Sequence, residues 1–366
     1  LQSLLAFILL HTSLGYISKV SNEEASFIRK ECSANHVSKR SIDGTIAANN
    51  KFKHTVRIYS ADEKAYYTCT GVLISSKHVI AAAHCFWKLI WGGKKMVCNR
   101  KNKFMLDRKL LTIKTSLVGH HFVDKSFNIA VQYGSRCLLL DERGNCDAAH
   151  SHKDVQVKQV VIHPMFLYDY CYSGDIALLE LEHPIEFSNS HDRKLRPNET
   201  SVADFGCLPT ANFEVEGEIS LAGFGIDPRN EDHPDLKDEY YEKWLKYINV
   251  TVADSCLGFM DKETYQPIDG LCTQSTEGVP CQGDSAGPLV LPRSAKKDTI
   301  VAVHSASLKC ERSKDFIETN EDERLLLRLN KHTDLRYHLR WICTLTGVCT
   351  EEYDEEYLIE KPVVLF

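Results

Sequence analysis

Cys281-Gln282-Gly283-Asp284-Ser285-Ala286-Gly287-Pro288-Leu289-Val290 sets a serine on a short polar turn that runs straight into an apolar stretch. Glycines on either side let the backbone turn tightly, expose the hydroxyl and leave neighbouring N–H groups free, which is what nucleophilic acyl transfer requires. Such a serine needs a base. Upstream stands Ala81-Ala82-Ala83-His84-Cys85, and between the two lies Ser173-Gly174-Asp175-Ile176-Ala177-Leu178-Leu179-Glu180-Leu181, a carboxylate opening an apolar run. Each residue alone has a plain reading, as a turn serine, a core histidine or a strand-end aspartate. The chain order His, Asp, Ser gives the three a joint meaning.

With these motifs the sequence resembles the chymotrypsin/trypsin-like serine protease family over most of its length, from about Lys39 to Cys349, and it has features of a nematode-type branch. The resemblance implies an all-β fold: two antiparallel six-stranded Greek-key β-barrels with a C-terminal helix. It also implies a serine-type endopeptidase with His84, Asp175 and Ser285 as catalytic residues and the N–H groups of Gly283 and Ser285 as the oxyanion hole. No cofactor or metal is implied.

The composition is that of an ordinary soluble globular protein. The chain has 43% hydrophobic residues, 26% charged residues and a net charge of −6. A mildly acidic balance gives no reason to expect nucleic acid or an anionic membrane as partner. A polypeptide substrate and an activating protease are the partners to expect. The pairs His120-His121 and His150-Ser151-His152 lack a third ligand at sensible spacing and read as surface histidines.

Residues 1–15 carry an apolar core too short to span a bilayer, with Ser13 and Gly15 suited to cleavage, and read as a secretory signal peptide. Secretion to the extracellular space also suits the 14 cysteines, which favour disulfides. Residues 16–40 read as a polar propeptide ending in Lys39-Arg40, with Ser41-Ile42-Asp43-Gly44 beyond it. In the family, cleavage after the basic residue frees a new N-terminus that pairs with the aspartate before the catalytic serine. Here that pair is Ser41 and Asp284, with serine where the family has Ile or Val. Residues 41–349 form the protease domain and 350–366 an acidic tail.

Period-two or continuous apolar segments predict strands at Phe52–Tyr59, Gly71–Ser75, Val79–Ala82, Ile129–Tyr133, Val155–Ile162 and Ile176–Leu181 for the first barrel. Glu218–Phe224, Tyr247–Val252, Gly287–Leu291 and Thr299–Ser305 belong to the second. A basic stretch between His84 and about Asn128, and a charged, helical-looking one from Glu231 to Lys246, read as surface insertions. Leu335, Leu339, Ile342 and Leu345 recur at helical spacing behind Thr333-Asp334 as N-cap candidates. Asn198-Glu199-Thr200 and Asn249-Val250-Thr251 are glycosylation sequons.

Family spacing assigns the disulfides Cys69–Cys85, Cys256–Cys272, Cys281–Cys310 and Cys32–Cys207, the last tethering the propeptide after cleavage. The pairing of Cys98, Cys137, Cys146, Cys171, Cys343 and Cys349 stays open. At the base of the primary pocket, acidic in trypsin-like members, this chain has Val279 followed by Pro280. Counted back from Cys310, the pocket wall reads His304-Ser305-Ala306 where the family has Ser-Trp-Gly. Ala306 then narrows the pocket, and His304 stands where the family serine bonds the catalytic aspartate. A restricted, apolar, non-tryptic pocket follows. Ala286 replaces a usual glycine beside the nucleophile. A reading from another class, a protease-like binding protein with weak or no turnover, rests on Ser41, Ala286, His304 and Ala306.

Overall fold

The computed structural model describes residues 17–33, 45–46, 51–62, 65–86, 121–122, 128–135, 137, 152–168, 173–187, 203–216, 219–226, 244–256, 267–275, 278–292, 297–307 and 328–350. In chain order these form helix α1 (Asn22–Cys32), then strands β1 (Thr45–Ile46), β2 (Thr55–Asp62), β3 (Ala65–Leu73), β4 (His78–Ala81), β5 (His121–Phe122), β6 (Ile129–Tyr133) and β7 (Lys153–Ile162). A short helix α2 (Pro164–Tyr168) precedes β8 (Ala177–Leu181). Strands β9 (Ile219–Gly223), β10 (Lys246–Val252), β11 (Gly270–Ser275), β12 (Pro288–Leu291), β13 (Thr299–Ser307) and β14 (Leu329–Asp334) follow, and helix α3 (Leu339–Thr346) comes last.

Every strand pairing is antiparallel, and the strands close into two rings. The first runs β7-β6-β2-β3-β4-β8 and closes through β7–β8; the second runs β10-β11-β14-β13-β12-β9 and closes through β10–β9. Each is a six-stranded barrel, with the two-residue strands β5 and β1 added at the edge of one ring each. Closure leaves neither ring an unpaired edge. Period-two alternation fills the barrels: Ile58, Leu73, Val79, Val131 and Leu179 pack within the first, and Leu221, Val250, Leu289 and Val301 within the second. A third cluster lies between and behind them. There Ile80, Leu178, Phe224, Val290 and Val303 meet Leu335, Leu339, Ile342 and Leu345 around α3. Leu178 and Leu179 thus face different cores, which is why β8 reads as a continuous apolar run rather than an alternating one.

Three sequence expectations are corrected by this fold. The second barrel has two further strands, β11 and β14, and β14 (Leu-Asn-Lys-His-Thr-Asp) is polar yet buried throughout. Its polarity is tolerated because the side chains are partnered: Asn330 donates to Ser275 Oγ at 2.7 Å, His332 Nε2 lies 2.7 Å from Thr273 Oγ1, and Asp334 accepts from Arg336. Of the helical-looking stretch, residues 231–243 lie outside the described residues; its last three are extended, with Trp244 in a bridge to Cys137 and Lys246 starting β10. Asp334 caps the 3-10 turn Leu335–Tyr337, while α3 follows the N-cap position His338 and stops at Gly347 in the left-handed conformation.

The stretch before Lys39-Arg40 is more than a polar leader. Ile17, Val20 and Ile28 are buried in the cluster around α3, and the Val20 N–H donates to Thr346 O at 2.9 Å. Ser18 donates to Glu180, Glu24 accepts the Ser76 N–H, and Cys32 is bonded to Cys207 across 175 residues of sequence. Cys69–Cys85 and Cys256–Cys272 are formed as well, and Cys343–Cys349 is a pair the spacing left open. Cys281 is disulfide-bonded, while Cys310 lies outside the described residues, as do the signal-like stretch 1–15, Arg40, Ser41, Asn198 and residues 351–366 of the acidic tail. No helix among the described residues is long and apolar enough to cross a membrane.

Candidate active site

The site is built where the two barrels face each other. His84 sits in the 3-10 turn Ala83–Phe86 just after β4, and Cys69–Cys85 ties that turn to β3. Asp175 stands before β8, and Ser285 occupies the turn before β12. These elements bring residues 91 and 201 positions apart together. His84 Nδ1 lies 2.8 Å from Asp175 Oδ2, and His84 Nε2 lies 2.8 Å from Ser285 Oγ. The His84 backbone N–H also donates to Asp175 Oδ1 at 2.9 Å, so the carboxylate holds both the ring and its main chain.

Asp175 is 4% exposed. Burial pushes its pKa up, but the facing His84, the bonds from His84 and the hydroxyl of Ser305 outweigh that and hold it at about 2. An ionised carboxylate only accepts, so His84 Nδ1 is the protonated nitrogen and Nε2 is left to accept from the Ser285 hydroxyl. Burial pulls the His84 pKa down, and so does Lys331, yet the charge and bond of Asp175 prevail and raise it above the ordinary imidazole value.

The serine turn leans on the first barrel. Thr70 of β3 donates its hydroxyl to Gly283 O at 2.8 Å, accepts the Phe224 N–H at 3.1 Å, and its own N–H donates to Ser285 O at 2.8 Å. Gly283 has φ +100°, a conformation that side chains other than glycine rarely adopt. The result leaves the N–H groups of Gly283 and Ser285 without an acceptor among the described residues. Asp284 points the other way, where its carboxylate accepts the N–H groups of Gly225 and Cys281, each at 2.8 Å. Ala286 takes φ +66°, so the unusual residue beside Ser285 is accommodated in the left-handed region.

The expected place of His304 is corrected. Ser305, not His304, donates to Asp175 Oδ2, at 2.6 Å. The register of β13 against β14 shifts between His304 and Ala306, and this irregularity moves the family match by one residue, to Ser305-Ala306-Ser307. Ser307 then stands two residues after the serine that bonds Asp175, and its hydroxyl meets Asn330 Oδ1 at 3.1 Å and His304 Nε2 at 3.0 Å. His304 is turned into the barrel, where burial lowers its pKa to about 3. It adds no positive charge beside His84. Val279 is half-buried next to Pro280.

Sequence reasoning missed Thr70, Ser305 and Thr333, whose hydroxyl donates to Asp175 O at 3.1 Å. Nothing in their local sequence marks them, because each acts across a barrel boundary. As for metals, the cluster Cys69, His84 and Cys85 found among the described residues offers no thiolate, since its sulfurs are joined. Asn249 of the second sequon lies half-buried in β10 and accepts from Ser220 at 3.3 Å.

Gly174 precedes Asp175 with φ +69°, and a Cβ there would lie 2.7 Å from Met165 Cβ and 2.8 Å from Phe166 N. Gly174→Ala is expected to cost about 2–4 kcal/mol, from left-handed strain and overpacking together. Urea unfolding checks this, and a midpoint unchanged from the parent refutes it.

Comparison with known proteins agrees with this architecture. The Trypsin family profile matches residues 138–320, half of the chain, and the Nematode trypsin-6-like family profile matches residues 2–112. Trypsin-like protease try-5 of Caenorhabditis elegans is 26% identical over 294 residues, which cover 75% of this chain and 76% of that protein. Human tissue-type plasminogen activator is 24% identical over 261 residues, 67% of this chain but 35% of its own length. CLIP domain-containing serine protease B9 of Anopheles gambiae is 23% identical over 240 residues, 61% of this chain and 46% of that protein. This chain thus spans less than half of the latter two. On its twin barrels and a profile match across half its length, the chain belongs to the trypsin family of serine proteases, as a divergent, nematode-type member.

Proposed function

We propose that this protein is a secreted serine endopeptidase that hydrolyses peptide bonds with His84, Asp175 and Ser285. The observation that carries the reading is the unbroken line of two 2.8 Å contacts from Asp175 through His84 to Ser285 Oγ. His84 takes the hydroxyl proton as Ser285 attacks the peptide carbonyl, then gives it to the leaving amine. Asp175 fixes the Nδ1–H tautomer and steadies the imidazolium. The Gly283 and Ser285 N–H groups meet the oxyanion, each worth about 3 kcal/mol.

The enzyme is made as a zymogen. Cleavage after Arg40 frees Ser41, whose ammonium pairs with Asp284 and draws that carboxylate from its two backbone donors. The segment before the cut stays attached, because Cys32–Cys207 and the buried Ile17, Val20 and Ile28 hold it. The substrate is a polypeptide with a small or medium, non-basic residue at a restricted primary pocket whose base is Val279, with Ser307 in place of Ala306 at the wall. The fully paired cysteines of the described residues support an oxidising, extracellular setting. Ala286 in the left-handed region beside the nucleophile favours a second reading, a protease-like binding protein with weak or no turnover.

Labelling of the secreted protein with a fluorophosphonate, before and after cleavage at Arg40, tests both. Labelling that appears on cleavage is the expected result. A cleaved, folded form that does not label overturns the enzyme in favour of the binding protein.

A further inference from the structure

The loop carrying Asp175 is also held from the far barrel, by residues that play no part in the chemistry above. Gly174 is buried, and its N–H donates to Asp269 Oδ2 at 2.7 Å. The same oxygen accepts Nε2–H of His338 at 2.6 Å. One residue earlier, the Ile268 N–H donates to Ser173 Oγ at 3.2 Å. Asp269 is tied down in turn, since its carbonyl accepts the Asp334 N–H of β14 at 2.9 Å. Behind it the His338 ring packs edge-on against His163 at 4.6 Å, and His163 against Trp341 of α3 at 4.8 Å. A contiguous stack, buried at His163, His338 and Asp269 and half-buried at Trp341, therefore runs from the closing helix to the peptide next to Asp175.

We infer that Asp269, oriented by His338, is a positioning residue that fixes the Gly174–Asp175 peptide and so aims the Asp175 carboxylate at His84. The inference rests on the triad reading above. Asp175 has other holds: Ser305 and His84 on its carboxylate, and Thr333 on its carbonyl. None of them sets the approach from Gly174. Glycine carries no side chain to limit its dihedral angles, so the bond from its N–H, together with the Ile176 N–H bond to its carbonyl at 2.7 Å, selects one conformation. Burial raises the Asp269 pKa, but the bond and charge of His338 and the Gly174 N–H outweigh it and leave the group below the ordinary carboxylate value. At neutral pH it is an acceptor only, suited to taking two N–H groups at one oxygen. Without that oxygen both would be buried unpaired, and the loop would move to find partners.

The experiment uses the full chain cleaved after Arg40 and compares the parent with Asp269→Ala and Asp269→Asn. The fluorophosphonate labelling rate, kcat and KM are measured on samples shown folded by circular dichroism. Asp269→Ala is expected to lower the labelling rate and kcat about tenfold or more, with KM within about twofold. Asp269→Asn keeps an oxygen in place and is expected to recover to within about threefold of the parent. Equal labelling and kcat in folded Asp269→Ala overturn the inference and leave the triad reading standing, as does a rise in KM alone. If the parent does not label, the triad reading falls and this inference with it. Should Asp269→Ala not fold, His338→Phe keeps the ring packed on His163 but removes the donor. A kcat lowered about threefold is expected there, and an unchanged kcat overturns the inference.

Discussion

Ser285→Ala is expected to remain folded and to lose peptide-bond turnover by roughly 10⁴- to 10⁶-fold. Its folding should survive because the backbone bond from Thr70 N–H to Ser285 O does not involve the side chain, and the hydroxyl is partly open to solvent. Only its contact with the His84 ring is lost, and that ring is itself one-third exposed. The rate should fall so far because in the proposed mechanism the hydroxyl is the attacking atom, not one stabilising group among several. What turnover remains would come from the oxyanion donors and substrate binding. Adding His84→Ala to Ser285→Ala should cost almost nothing more, since the two act as one unit. The measurements are kcat/KM on a peptide selected from a library and the thermal unfolding midpoint. A rate equal to the parent's would remove Ser285 from the nucleophile's role, and preferred cleavage of Arg or Lys esters by the parent would refute the pocket reading.

Asp175→Asn carries the next largest effect, a loss of about 10⁴-fold in kcat at neutral pH. The amide can turn its NH₂ toward His84 Nδ1, which then has to accept, so the proton moves to Nε2 and the base is blocked. The pH profile gives a second signature. Turnover needs unprotonated His84, so kcat/KM in the parent rises with pH through the raised His84 pKa. The substitution removes both causes that raise that pKa and leaves burial and Lys331, which lower it, so the acidic limb should move to lower pH. Stability follows the opposite pattern for the two partners. The raised His84 pKa contributes stability below the unfolded value of 6.5 that is lost as pH rises through the folded one. The depressed Asp175 pKa contributes above 3.8 and is lost as pH falls through about 2. A parent profile whose acidic limb is unmoved in Asp175→Asn would show that the titrating group is not His84.

Most of the first barrel was legible, because its strands alternate or run apolar on a scale that local pattern detects. β14 was not. Its six residues carry one leucine among polar side chains, and only the partners supplied by Thr273, Ser275 and Arg336 make burial tolerable. β11 was missed for a similar reason, since Gly-Leu-Cys-Thr-Gln-Ser has too little apolar character to stand out. The single-residue slip at His304 has another cause. Counting back along a strand assumes unbroken alternation, and an irregularity in β13 changes which side chain faces the aspartate without leaving a local mark.

The sequence by itself determined the two-barrel class, the three residues that would form a catalytic line, and the cysteine pairs Cys32–Cys207, Cys69–Cys85 and Cys256–Cys272, because motif order and spacing are properties of the chain. Only the tertiary structure decided that Ser305 rather than His304 holds Asp175, that Thr70 carries the serine turn, that Asp269 reaches Gly174, and that the segment before Arg40 is packed into the body. Each of these is a contact between residues 95 to 326 positions apart, where the partner is set by barrel closure and register. A hydroxyl or carboxylate has the same local sequence signal whether it ends in solvent or across a barrel boundary, so its role exists only once the two rings have closed.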